Sequence, residues 1–155
     1  MENKAKERLV REAMNQASIS IKEGNSPFGA VLSDEAGNIV LTAHNTTNTD
    51  VNPIAHAEIN LIIKAANMFK TKNLSKFILV SNAQSCPMCF SAAIKAGINR
   101  FIFGCAEDET LKPKINVFEL KERCSGEINI ETNVLGTECL KQLREFRVKK
   151  INRSD

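Results

Sequence analysis

The chain has 155 residues, of which 43% are hydrophobic and 25% charged, and a net charge of +3. A chain of this size and makeup buries a core of its own, which excludes collagenous, coiled-coil and disordered classes and predicts one domain over residues 1–155. No apolar run reaches the ~20 residues of a bilayer span, and the first residues lack the apolar segment of a secretory signal. A cytoplasmic protein with no membrane partner is expected.

Ala5, Leu9, Ala13, Ala17 and Ile21 recur every fourth residue, which predicts an amphipathic helix over 4–22 ended by Gly24-Asn25-Ser26-Pro27. Phe28–Leu32 and Asn38–Thr42 are β-prone runs around Ser-Asp-Glu-Ala-Gly and predict a hairpin. Asn52 and Pro53 read as N-cap and first-turn proline of a helix continuing to Phe69. Phe77–Ser81 predicts a buried strand, Cys86–Lys95 a helix closed by Gly97, and Arg100–Gly104 a further buried strand. A short helix at Asn116–Arg123, a strand at Ile128–Thr132 and a helix over Thr137–Lys149 complete the order. Helices alternating with strands predict an α/β domain, and the hairpin makes the sheet mixed. Met68 and Met88 read as core filling.

The five cysteines are Cys86, Cys89, Cys105, Cys124 and Cys139, and without a secretory signal they read as thiols or metal ligands. Only Cys86 and Cys89 have ligand spacing. Taken alone, this C-x-x-C fits a redox pair as well as a metal site. Pro53-Ile-Ala-His-Ala-Glu58 supplies what separates the two. His56, Cys86 and Cys89 form a borderline-soft donor set that suits zinc and leaves one tetrahedral position open, the mark of a catalytic rather than a structural site. Glu58 stands roughly 200° around a helix from His56, poorly placed as a co-ligand but well placed as a proton carrier at the helix tip.

These residues resemble the zinc-dependent cytidine deaminase superfamily, whose pattern is H-x-E followed by P-C-x-x-C. Here it stands as His56-Ala57-Glu58 and Cys86-Pro87-Met88-Cys89, with Ser85 and Gln84 in place of the usual proline and the glutamate before it. The 30 residues from His56 to Cys86 are similar to the spacing of the guanine deaminase and tRNA adenosine deaminase branch. Ser26–Val31 resembles the first strand of guanine deaminases, and Val134–Leu140 the C-terminal part of the tRNA enzymes. The resemblance implies a three-layer α-β-α sandwich on a mixed five-stranded sheet, one Zn2+ per chain, Glu58 as catalytic residue, and a homodimer.

It also implies hydrolytic release of ammonia from a nucleobase or nucleoside, with a purine of the guanine type first. Adenosine in tRNA and a cytosine-type substrate are the alternatives, and a non-catalytic zinc or redox module is the alternative of another class. Asn45, the Ala57 backbone N–H and Phe28 would hold the substrate, with Asp108 standing in for the base-reading C-terminal aspartate. Residues 141–155 carry six basic and two acidic side chains against +3 for the whole chain. The body is therefore near neutral, and any attraction for tRNA lies on the C-terminal helix.

Overall fold

The computed structural model describes residues 1–106 and 116–151, with side chains as far as Lys150. The elements run α1 (Asn3–Lys22), β1 (Gly29–Ser33), β2 (Ile39–His44), α2 (Ala57–Phe69), β3 (Ile78–Ala83), α3 (Pro87–Lys95), β4 (Arg100–Cys105), α4 (Val117–Arg123), β5 (Asn129–Glu131) and α5 (Gly136–Ile151). The strands form one sheet in the order β2-β1-β3-β4-β5. β1 is antiparallel to both β2 and β3, whereas β3–β4 and β4–β5 are parallel. The mixed five-stranded sheet expected from the hairpin and the alternating elements is the sheet observed.

Side chains on successive strand positions point to opposite faces, and the central strands are apolar on both. On one face Ala30, Leu32, Leu79, Phe101 and Phe103 pack with Leu61, Ala65, Phe90 and Ala93 of α2 and α3. On the other, Val31, Ile78, Val80 and Ile102 pack with Leu9, Val10 and Ala13 of α1 and Cys139 and Leu143 of α5. The result is three layers, with β3 buried along its whole length at the centre.

The close seating of α1 depends on Gly29. A Cβ there would lie 2.1 Å from the Ala13 carbonyl oxygen and 2.6 Å from the Ala17 nitrogen, a clash with helix backbone that cannot rotate away. Gly29→Ala is expected to cost about 3 kcal/mol, measured by chemical denaturation; a loss below about 0.5 kcal/mol would contradict this packing.

Two expectations are corrected. The second helix begins at Ala57, not at Asn52–Pro53, and His56 is its N-cap residue. Asn52 instead closes a turn, its Oδ1 accepting from the Ile54 N–H at 3.1 Å and its carbonyl from the Ala55 N–H at 3.2 Å. The Ile54 carbonyl then accepts from the His56 N–H at 2.7 Å, so local bonds hold the backbone out of the helix. Met68, expected in the core, is 62% exposed on α2. Cys105 and Cys139 are buried, whereas Cys124 is half-buried. Among the described residues no helix is long and apolar enough to cross a membrane.

Candidate active site

The site is built where two helices of one layer begin. α2 starts after His56 and α3 after Cys86, and each of these two residues is an N-cap with extended backbone. Neither spends its side chain on capping its own helix, so imidazole and thiol are turned toward each other. Cys89 lies in the first turn of α3, fully buried. His56 Nδ1 is 3.7 Å from Cys86 Sγ and 3.5 Å from Cys89 Sγ, and the three donor atoms all lie within 4.8 Å of one another. A tetrahedral zinc with bonds of about 2.05 Å to nitrogen and 2.3 Å to sulfur needs N···S edges of about 3.6 Å. The fit is close, and among the described residues no other cluster of three such side chains forms.

In the metal-free site electrostatics ionise one of the two thiols and hold the proton on the other. A hydrogen bond from the Cys89 thiol, aided by His56 and opposed by burial, brings the Cys86 thiol down to about 4. The same shared proton, together with burial, pushes the Cys89 thiol up. The hydrogen bond to Cys86 raises the His56 imidazole against the effect of burial. Without a cation the sulfur pair thus keeps one proton, which a dication displaces.

Glu58, in the first turn of α2, is 6% exposed. Burial raises its carboxyl above the ordinary carboxylate range, partly offset by its own backbone N–H. The Ser85 hydroxyl, 4% exposed, donates to Glu58 Oε1 at 2.8 Å. Ala57 is the first residue of α2 and fully buried, at a position where a helix N–H has no intrahelical acceptor.

Asn45 is buried just beyond β2. Its Oδ1 accepts from the Thr47 N–H at 3.0 Å and the Thr47 hydroxyl at 2.8 Å, and its own N–H donates to the Phe28 carbonyl at 3.0 Å. Phe28 is half-buried and touches both hydrophobic clusters. The next residue, Thr46, donates its N–H to the Ala55 carbonyl at 3.0 Å, which ties the Asn45 segment to the one that delivers His56. His44 pairs with Glu23 at 2.8 Å at the end of β2 and is not one of the three clustered donors. Asp108 lies outside the described residues.

Sequence reasoning missed the polar side chains that hold these segments. Asn60 sits one turn past His56 and donates to the His44 carbonyl at 3.0 Å and the Thr46 hydroxyl at 2.9 Å. Asn82 is fully buried on β3. Its Oδ1 accepts from the Gly29 N–H, and its Nδ2 donates to the Pro27 carbonyl and to Gln142 Oε1 of α5. Gln142 in turn donates to the Met14 carbonyl of α1 at 2.9 Å. An asparagine at i+4 from the histidine was the one signal available for Asn60; nothing local marked Asn82.

An imidazole, two thiols and a buried carboxyl gathered at two helix starts beside a mixed sheet define a zinc-dependent deaminase that acts on C–N bonds. Residues 3–105 match the model of the cytidine and deoxycytidylate deaminase zinc-binding region, and the chain belongs to that family. It is 31% identical over 153 residues to the tRNA-specific adenosine deaminase of Bacillus subtilis, covering 93% of this chain and 92% of that one. It is 27% identical over 144 residues to the tRNA-specific adenosine deaminase of Rickettsia felis, covering 87% and 100%. The fold is shared with a guanine deaminase from Nitrosomonas europaea, with a TM-score of 0.79 at 23% identity over 92% of this chain and 84% of that one. A structure from work on A-to-I editing by tRNA:A34 deaminases gives a TM-score of 0.77 at 23% identity, covering 88% and 99%.

Proposed function

We propose that this enzyme hydrolyses the exocyclic amino group of a free purine base or nucleoside of the guanine type, exchanging R–NH2 and water for R=O and ammonia. The observation that carries the hydrolysis is the buried Glu58 carboxyl at the start of the helix whose N-cap is the metal-binding His56. His56, Cys86 and Cys89 would hold a zinc ion, whose Lewis acidity would make water a nucleophile near neutral pH. Glu58 accepts the first proton of the attacking water and passes it to the ring nitrogen, then accepts the second from the hydroxyl added to the ring and passes it to the departing amine, so that two protons are taken and two returned. A carboxyl whose affinity for protons is raised by burial suits both halves of that task. Asn45, its Oδ1 already engaged by Thr47, offers its Nδ2 as a donor to an acceptor on the base or sugar. The Ala57 N–H holds a polar ring substituent, Phe28 borders the base and Asp108 reads its edge. The free-purine reading draws on the near-neutral body and on the Pro27-Phe28 form of the first strand. It includes a cytoplasmic homodimer, for which Ile54, Ile63 and Met68 supply exposed apolar surface.

A second reading, adenosine in a tRNA loop, has two observations in its favour: the curated relatives named above, and a groove of about 490 Å³ between the end of α1, the 46–50 loop and α5. Lys22, Lys149, Lys150 and Phe146 line it beside Ser26 and Asn48, a combination suited to a phosphate backbone. An ammonia-release screen over guanine, guanosine, adenine, adenosine, cytosine, cytidine and tRNA separates the readings. Release from guanine or guanosine with none from tRNA is expected. Inosine formed in tRNA, with the free bases untouched, would overturn the first reading in favour of the second. Lys149→Ala/Lys150→Ala is expected to leave turnover of a free base within twofold. If tRNA is the substrate, the same pair weakens its binding and lowers the salt dependence by about 2 in slope.

A further inference from the structure

The hydrogen bond between Ser85 and Glu58 has no counterpart in a chain that carries proline at this position, because proline has no side-chain donor. Both partners are buried, at 4% and 6% exposure. They come from different elements, 27 residues apart, and meet at 2.8 Å. Ser85 itself is anchored on both sides. The Gln84 N–H before it donates to the Cys105 carbonyl at 3.0 Å, and Cys86 after it opens α3, its carbonyl accepting from the Phe90 N–H at 3.0 Å. The backbone that carries the hydroxyl is therefore held on both sides. A carboxylate is acceptor-only when ionised, and its two oxygens are equivalent until something engages one of them.

We propose that Ser85 is a positioning residue that makes the two oxygens of Glu58 unequal: Oε1 is held as a permanent acceptor of the serine O–H, and Oε2 carries every proton the reaction moves. In each turnover Oε2 gains one proton for each proton it gives up, and the serine proton stays on serine, so the hydroxyl is neither consumed nor oxidised. Its contribution is orientation. A carboxyl side chain with a free terminal torsion samples a broad range of angles, and a charge-assisted bond to one oxygen removes that freedom where a fraction of an ångström decides proton transfer. Ser85 thus supplies through a side chain what the family's proline cannot.

This inference rests on Glu58 as the proton carrier, and the experiment keeps the two apart. Native protein, Ser85→Ala, Ser85→Thr and Glu58→Gln are purified with zinc. Each is characterised by metal content, Tm, and kcat and KM for guanine, or for a tRNA anticodon stem-loop if that is what the screen returns. Ser85→Ala is expected to keep one zinc per chain and the native Tm and KM, while kcat falls by about 10- to 100-fold. Ser85→Thr keeps the hydroxyl and is expected to restore kcat to within about threefold of native. A zinc-loaded Ser85→Ala with native kcat would overturn the proposal. So would loss of zinc from that variant, which would place the serine's role in the metal loop, or a zinc-loaded Ser85→Thr as slow as the alanine form. If Glu58→Gln turns over like native protein, the reading of Glu58 fails first; if it is inactive while Ser85→Ala is fully active, only the present inference fails.

Discussion

Glu58→Gln is expected to lower kcat by about 10³-fold while leaving one zinc per chain in place. The loss follows from chemistry, since an amide of the same shape can neither take a proton from water nor return one, and a positioned acid/base contributes about 10² to 10⁴ in rate. Retention of metal follows from geometry, since the donor set is His56, Cys86 and Cys89 without Glu58. The same variant carries a stability signature. Burial raises the native carboxyl of the metal-free protein above its ordinary value of 4.5, so folding is favoured by this group below that value and the benefit is lost as pH rises through the folded one. Metal-free Glu58→Gln is therefore expected to melt a few degrees higher than native protein at pH 7, and to lose that advantage toward pH 4. A variant that still releases ammonia at the native rate would remove Glu58 from the mechanism.

Cys86→Ala has the other large effect expected. Two remaining protein donors leave a divalent ion without the tetrahedral set that the two helix starts provide, so metal content falls to near zero and turnover to background. The chain still folds, because neither hydrophobic cluster contains Cys86 or Cys89. In a melt series, zinc raises the Tm of native protein by mass action and leaves that of the variant unchanged. Elemental analysis returning one zinc per chain in Cys86→Ala would show that the third donor is not the one assigned here.

Much of this was readable because the chemistry of the site admits few residue types. A borderline metal restricts its ligands to imidazole and thiol, and a C-x-x-C that opens a helix puts both sulfurs on its first turn, so His56, Cys86, Cys89 and Glu58 stood out. The strands did too, because β3 and β4 are buried on both faces and carry continuous apolar runs at Ile78–Val80 and Phe101–Phe103. What escaped was set by partners remote in the chain. Asn82 gains its meaning from Pro27, 55 residues away, and from Gln142, 60 residues away. The Asn52-Pro53 pair follows the rules of a helix start, but a local turn and the reach needed to aim His56 at α3 win over propensity. Met68 keeps the apolar spacing of α2 yet faces outward, since periodicity tells which residues share a face and not whether another element covers it. Ser85 was visible only as a departure from a pattern, and its partner became apparent once α2 and α3 were side by side.

The matched segment, residues 3–105, holds every residue of the metal site, yet it stops short of α5. Without that helix the sheet face made by Val31, Val80 and Ile102 would lose Cys139 and Leu143, and the buried Asn82 carboxamide would lose the oxygen of Gln142. A piece cut after Cys105 would keep the reagents and shed half of one wall, trading a dry interface for wet apolar surface and inviting aggregation. The boundary of the motif and the boundary of autonomous folding therefore fall in different places, and excision of this catalytic centre for grafting or display has to carry the last helix with it.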